Sequence, residues 1–244
     1  MSVLGHYLEA EGLATTIVSL VRLHSETTQP PRSLFVPFEL GRPLGPPNNP
    51  ALQRRVLESA LALLKRDDGP SVLVDFDHLD DATEIDQNWV PPSDVPVHID
   101  LGDVDGVRLL LQEEVSGLKA AYERAKTLRE RTTVGVAKLS MAEIADHIAS
   151  FLRGPHENSP RDDLSAAMVL RFGADDLKAY YYEAGAAAGQ PTSRQLGTWF
   201  WRNTVAGQIL IALRAAALES DDKRFHIVCS SFVVPRVWVA ELEL

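Results

Sequence analysis

A strand, a rigid loop and a helix follow one another in the first third of the chain, and this order restricts the fold more than any other feature. The run Ser33–Phe38 is typical of a buried strand, although Pro37 weakens its far end. The loop over residues 39–47 is rich in glycine and proline, which hold a backbone in one fixed shape. A helix is predicted over Pro50–Lys65, with Asn49 as its N-cap. Loops fixed in this way commonly lie beside a ligand.

Two further strand-like runs flank this unit and favour a parallel sheet. Ala14–Val21 is rich in β-branched residues, and Ser71–Phe76 follows the helix after a Gly-Pro pair. Strands that are joined through a helix pair in parallel with right-handed crossovers. A further short strand is predicted at Val95–Ile99, within the acidic and proline-rich segment 77–106.

Helical periodicity dominates the chain after residue 106. The predicted helices cover Val107–Arg131, Ser140–Leu152, Ala174–Ala188 and Thr192–Glu219. The run Phe225–Val234 fits either a final strand or the end of a buried helix. We therefore expect an α/β fold in which a small parallel βαβ sheet unit, residues 1–105, precedes a mostly α-helical lobe, residues 106–244.

Charge and cysteine content exclude several classes of protein. The 244 residues carry a formal net charge of −10 without a basic cluster, which argues against nucleic acid and anionic membranes as partners. No segment approaches the roughly 20 apolar residues that span a bilayer, and no secretory signal is evident, so we expect a soluble cytoplasmic protein. Cys229 is the single cysteine, which excludes an internal disulfide and a CxxC redox pair.

Ionisable residues follow each of the three predicted strands. In an open parallel sheet, ligands bind outside the carboxyl ends of the strands, so these residues are expected to meet at one edge. They are Arg22 and His24 after the first strand, Glu39 and Arg42 after the second, and Asp75, Asp77 and His78 after the third.

His24 is the strongest candidate for acid–base catalysis or metal ligation, and Glu39 is expected to orient the reacting group with it. Arg42 is expected to hold a substrate carboxylate. A surface position for His24 and a structural ion pair between Glu39 and Arg42 are the alternatives. The substrate-binding residues expected in this region are Arg22, Gly41, Arg42 and Gly45.

Several acidic and histidine residues are candidates for holding a divalent metal, iron or zinc. Glu143 and His147 stand four residues apart on a predicted helix, which places both on one face. His78 lies in an acidic turn. A surface pair and a solvated turn are the competing interpretations. The metal-ligand candidates are His24, Glu39, His78 and His147.

Two aromatic clusters lie in the helical lobe, at Tyr180–Tyr182 and Trp199–Trp201. Aromatic residues at helical spacing usually belong to the core, but consecutive ones cannot all face one side. We expect core packing, contact with a ligand, or contact with a protein partner such as a second copy in a homo-oligomer. Cys229 lies in an apolar run and is interpreted as an inert buried thiol.

Four segments resemble the B component of the glycine, sarcosine, betaine and D-proline reductases. They are Gly12–His24, Pro30–Gly45, Asn49–Leu64 and Gly69–Phe76, and they include a Pro-Phe-x-Leu-Gly-x-Pro-x-Gly pattern and the triplet Gln53-Arg54-Arg55. The resemblance implies a small amino acid or derivative as ligand, with reductive cleavage of a carbon–nitrogen bond by a selenol or thiol. The first 228 residues contain no cysteine. The scaffold and its loop are therefore expected here without the thiol chemistry of that family.

These observations favour an enzyme that acts on a small amino-acid-like substrate by redox or lyase-type chemistry, without a protein thiol. A redox reaction would then need an external cofactor or a bound metal. The alternatives are a metal-dependent oxygenase or hydrolase on the same scaffold, and a non-catalytic partner subunit of a reductase-like complex that binds a protein through the aromatic helical lobe.

Overall fold

The computed structural model describes residues 2–38, 40–46, 49–77, 88–93, 99–189 and 191–244. The chain divides into two compact units, Met1–Thr83, called here the α/β unit, and Glu84–Leu244, called the helical unit. The sequence pattern placed this division near residue 105. One contact that ties the segment before residue 105 to the helical unit is made by Trp89, whose Nε1 donates a hydrogen bond to the Gly185 carbonyl at 3.0 Å.

The α/β unit alternates helices and strands, and it begins with a helix, α1, that the sequence pattern did not predict. Its elements are α1 (Ser2–Ala10), β1 (Ile17–Ser19), α2 (Arg22–Thr28), β2 (Arg32–Phe35), α3 (Pro50–Ala62) and β3 (Val72–Asp75). A 3-10 turn over Leu63–Lys65 continues α3. Each strand is shorter than the apolar run that predicts it.

The three strands form one parallel sheet in the order β1-β2-β3. Ser19 of β1 is level with Phe35 of β2, and Phe35 is level with Asp75 of β3. The carboxyl ends of the strands therefore lie at one edge of the sheet. This arrangement, followed by a mostly helical remainder, confirms the predicted fold class.

Helix α3 packs against β2 and covers part of one sheet face. Leu52 and Val56 on α3 are buried together with Leu34 on β2 in a small apolar core. The helix begins as predicted, because the Asn49 side chain accepts a hydrogen bond from the Leu52 amide at 3.1 Å and Pro50 occupies the first turn.

Gly45 fixes the loop that leads into α3. Its φ of +86° lies in the left-handed region, which glycine adopts without steric cost. A Cβ at this position would lie 2.9 Å from Leu52 Cδ2 and 3.3 Å from Phe38 Cζ, so the loop packs closely against its surroundings. Gln53 also holds this loop, since its Nε2 donates to the Pro46 carbonyl at 3.1 Å. These contacts give the loop the fixed shape that its glycines and prolines predict.

The helical unit surrounds a larger apolar core, to which most of its helices contribute. Its helices are α4 (Val104–Arg129), α5 (Met141–Ser150), α6 (Ala166–Ala186), α7 (Ser193–Asn203), α8 (Val205–Leu218), α9 (Lys223–Val228) and α10 (Arg236–Glu241). Among the residues described, none of the helices combines the length and the apolar character that crossing a membrane requires.

The prediction of one continuous helix over Thr192–Glu219 is wrong, because the backbone becomes extended at Thr204 and separates α7 from α8. The buried carboxylate of Glu114 stabilises this break. It accepts hydrogen bonds from the amides of Val205 and Ala206, at 3.0 and 3.1 Å, which are free at the start of α8.

Two further segments were predicted as possible strands, Phe225–Val234 and Val95–Ile99. Phe225–Val234 is not a strand: α9 runs into a π-helical turn over Cys229–Val233, which supports the helical alternative. Residues 95–98 of the strand predicted at Val95–Ile99 lie outside the described residues.

Candidate functional site

The ends of β1 and β3 are joined by an ion pair at the carboxyl edge of the sheet. Arg22 Nε donates to Asp75 Oδ1 at 2.9 Å, and Arg22 Nη2 donates to Asp75 Oδ2 at 3.2 Å. Arg22 also pairs with Glu26 one turn later on α2. The hydrogen bonds and charge of Arg22 lower the pKa of Asp75, so this carboxyl stays ionised at neutral pH.

The predicted convergence of strand ends is thus found for Arg22 and Asp75, and a role of Arg22 in substrate binding stays a prediction. Its guanidinium already contacts two carboxylates of the chain itself. A substrate carboxylate would have to compete with both. Another cation near this edge, Arg55, is therefore considered as the group that binds a substrate carboxylate.

A cleft of about 400 Å³ lies beside β3, where α3 covers β2 and leaves space over the neighbouring strand. We call it the β3 cleft. Its lining consists of the apolar residues Leu34, Val74 and Phe76, the α3 residues Arg55, Glu58 and Ser59, and the acidic residues Asp75 and Asp77. This volume is within the range of small-molecule sites in proteins.

Arg55 brings a positive charge to this cleft. Its guanidinium carbon lies 5.6 Å from the centroid of the Phe76 ring, and its Nη2 donates to the Asp77 carbonyl at 3.3 Å. Arg55 forms no ion pair with any residue of the described part of the chain. Glu58 and Asp77 also line the cleft, so one cation and carboxylates lie within a single small volume.

The sequence did not single out Arg55 or Glu58 as site residues. On an amphipathic helix both belong to the polar face, which ordinarily contacts only water. The available signal was the Gln53-Arg54-Arg55 triplet, which is part of the resemblance to the reductase component. The triplet does not reveal which arginine faces the cleft, since this depends on the packing of α3 against β2.

The other predicted residues of this region that the structure describes lie outside the lining of the β3 cleft. His24 is exposed on α2, and Arg42 is exposed in the loop before α3. Gly41 has a φ of +89°, and the amide of Gly45 donates to the Arg42 carbonyl at 2.9 Å. Glu39, with which His24 was expected to act, lies outside the described residues. The catalytic and substrate-binding roles of these residues stay predictions.

Glu143 and His147 do not form a metal-binding pair. Glu143 caps α5 in the predicted capping box, where its Oε2 accepts from the Ser140 amide at 2.8 Å. His147 is buried, and its Nε2 lies 2.9 Å from the Ala166 carbonyl oxygen. Burial lowers the pKa of His147, which favours the neutral ring that donates to this carbonyl.

The described part of the chain contains no group of three or more His, Cys, Asp or Glu side chains arranged to hold a metal ion. His78 and Glu39, two of the four metal-ligand candidates, lie outside that part.

The aromatic clusters of the helical unit form core. Five of the six rings are buried, namely Tyr180, Tyr181, Trp199, Phe200 and Trp201. Cys229 is also buried, and burial raises the pKa of its thiol to about 12, so it remains protonated and unreactive at neutral pH. The core interpretation of these rings is confirmed, and a protein partner stays a prediction without an assigned surface.

Comparison of the chain with protein-family models, curated proteins and solved structures finds no match. A functional assignment therefore has to come from the residues of the β3 cleft themselves.

Proposed function

We propose that the chain is an enzyme that acts on a small amino-acid-like substrate in the β3 cleft. The proposal rests on Arg55, which lines a small cleft together with Glu58 and Asp77. Arg55 has no ion-pair partner in the described part of the chain. A cation without an ion-pair partner among the described residues, lying beside carboxylates in one cleft, matches a ligand that carries both charges.

An amino acid has a carboxylate and an ammonium group separated by a single carbon atom. The planar guanidinium of Arg55 is suited to the carboxylate, because its N–H groups can bind both oxygens at once. The carboxylates of Glu58 and Asp77 are acceptors for the ammonium group. Asp75 contributes little to the negative field, because the Arg22 guanidinium compensates its charge.

The size and lining of the cleft limit the rest of the substrate. Leu34, Val74 and Phe76 supply apolar surface for a short hydrocarbon part. A volume of about 400 Å³ accommodates a small amino acid such as a glycine derivative or proline. The resemblance to component B of the amino acid reductases supports the same substrate class.

The reaction in this proposal is of redox or lyase type, and no proton-transfer residue is assigned to it, because His24 does not line the β3 cleft. Because Asp75 is ionised, it accepts hydrogen bonds and does not donate a proton. The thiol of Cys229 is buried and protonated, so the described residues supply no thiolate. Electrons for a redox step would come from an external cofactor or a bound metal.

Calorimetric titration with glycine, sarcosine, betaine and proline tests the binding part of the proposal. Arg55→Gln is expected to weaken binding by at least about tenfold, because one charge-assisted hydrogen-bond pair is lost. Arg54→Gln is the matched control, since Arg54 is an exposed neighbour on α3 that does not line the cleft. Absence of binding by all four compounds, or equal losses in both variants, would contradict the proposal.

A further inference from the structure

A second cavity, of about 670 Å³, lies in the helical unit between α4, the start of α5 and α6. We call it the tyrosine cavity, because the rings of Tyr122 and Tyr180 lie in its lining. Both residues are buried, and their ring centroids are 4.5 Å apart. Val115 is also buried and completes an apolar floor.

The floor is held in place by hydrogen bonds that leave both tyrosine hydroxyls paired. Tyr180 donates to the Val115 carbonyl at 2.9 Å, and the Tyr122 hydroxyl lies 2.9 Å from Thr132 Oγ1. The rings therefore present their carbon surfaces to the cavity, and their polar atoms are used elsewhere. Such a floor favours an aromatic or branched apolar group over a polar one.

One wall of the cavity is a loop that two buried carboxylates hold rigidly. Val134 and Leu139 belong to this loop and line the cavity. Asp176 on α6 accepts hydrogen bonds from three successive loop amides, those of residues 135, 136 and 137, at 2.8–2.9 Å. Glu183, two turns later on α6, accepts from the Thr133 amide at 2.8 Å. The wall is thus preorganised, which reduces the entropy lost when a ligand binds.

The rim of the cavity is polar and carries one uncompensated positive charge. Glu123 forms an ion pair on this rim, in which its Oε2 accepts a hydrogen bond from Lys126 Nζ at 3.2 Å. Lys119 is exposed and makes no hydrogen bond or ion pair with any residue of the described part of the chain. Ser116, one turn earlier on α4, adds a hydroxyl donor at the same rim.

We propose that the tyrosine cavity binds an amphipathic monocarboxylate with an aromatic or branched apolar body. The apolar body lies on the tyrosine floor and against the preorganised wall, where it is removed from water. The carboxylate remains at the rim, where it pairs with the ammonium of Lys119 and accepts a hydrogen bond from Ser116. This site is independent of the β3 cleft, since its lining belongs wholly to the helical unit.

The test uses 2-naphthylacetate and the uncharged 2-naphthylacetamide as probes of the full chain, with binding measured by calorimetry. The acid is expected to bind about tenfold more tightly than the amide, as one charge-assisted hydrogen bond predicts. Lys119→Gln is expected to remove this difference without changing the affinity for the amide. Arg124→Gln is the matched control, because Arg124 is an exposed cation on α4 that does not line the cavity.

Several results would overturn the proposal. They are absence of saturable binding of the acid below about 1 mM, equal affinity of acid and amide for the unaltered chain, and an unchanged preference for the acid in Lys119→Gln. Binding of the acid should also survive in Arg55→Gln, whereas loss of binding there would assign the probe to the β3 cleft instead. Both substituted side chains are exposed, and circular dichroism of each variant verifies that it folds.

Discussion

Glu114 offers the sharpest test of how the helical unit is held together. Its two carboxylate oxygens accept three hydrogen bonds: one from the Tyr181 hydroxyl at 2.6 Å, and two from the first amides of α8. Burial raises the pKa of Glu114, while these three donors act in the opposite direction. The substitution Glu114→Gln replaces one acceptor oxygen by an NH₂ group at nearly constant volume.

The expected loss of stability follows from the two backbone amides, those of Val205 and Ala206, that remain in Glu114→Gln. The amides of Val205 and Ala206 bind different oxygens of Glu114, so in either orientation the new NH₂ group faces a backbone N–H instead of accepting from it. A buried donor left without an acceptor costs about 1–3 kcal/mol, and a second donor pointed at it adds to this. We therefore expect Glu114→Gln to lower the free energy of unfolding of the helical unit by about 2–4 kcal/mol.

Tryptophan fluorescence during denaturant unfolding measures this change selectively, because all 4 tryptophans lie in the helical unit. Glu113→Gln is the control, since Glu113 is an exposed neighbour on α4, and its effect should stay within about 0.5 kcal/mol. A loss below about 0.5 kcal/mol for Glu114→Gln would show that this carboxylate does not hold the start of α8.

Three further predictions concern other buried positions. Gly45→Ala should destabilise the α/β unit by about 1–2 kcal/mol, because φ is +86° and the new Cβ would meet Leu52 at 2.9 Å; faster hydrogen exchange in α3 would report this. Gly117→Ala is its control, since a Cβ there meets nothing within 4 Å, and faster exchange in both variants would count against the argument. Burial lowers the pKa of His147 from 6.5, so protons bind the unfolded chain preferentially and stability falls as the pH drops below that value. Between pH 8 and pH 5 the native chain should therefore lose more stability than His147→Gln, in fluorescence-monitored unfolding; equal losses would contradict this. Cys229 should react with iodoacetamide only after denaturation, as mass spectrometry would show, because its thiol is buried with a pKa of about 12, and labelling of the folded chain would refute it.

Local patterns were sufficient to predict the parallel sheet and helix α3 of the α/β unit. The three β-branched or apolar runs, the Asn49 cap and the following amphipathic helix predict a parallel sheet, and the structure has one. The helix α1 was not anticipated, because Ser2–Ala10 mixes apolar and polar residues without a marked cap.

The break between α7 and α8 could not be predicted from local sequence. Thr204 lies in an otherwise helical run, and the carboxylate that stabilises the break comes from Glu114, far earlier in the chain. Such tertiary contacts override local propensity.

In the candidate site, too, some features could be predicted from the sequence and others depend on tertiary contacts. Arg22 and Asp75 were predicted at one edge because parallel strands end together, and they do meet. The sequence did not reveal that Arg22 would be held by two carboxylates, or that Arg55 would contact Phe76 and line a cleft. Both facts depend on distances across the fold, which spacing along the chain does not encode.

A structure of crystals of this protein soaked with sarcosine decides whether the β3 cleft is the substrate site. We expect the sarcosine carboxylate to lie within hydrogen-bond distance of the Arg55 guanidinium, with its ammonium directed at Glu58 or Asp77. Sarcosine bound at another place, or a β3 cleft that stays free of it under conditions where calorimetry detects binding, would refute the assignment of the cleft.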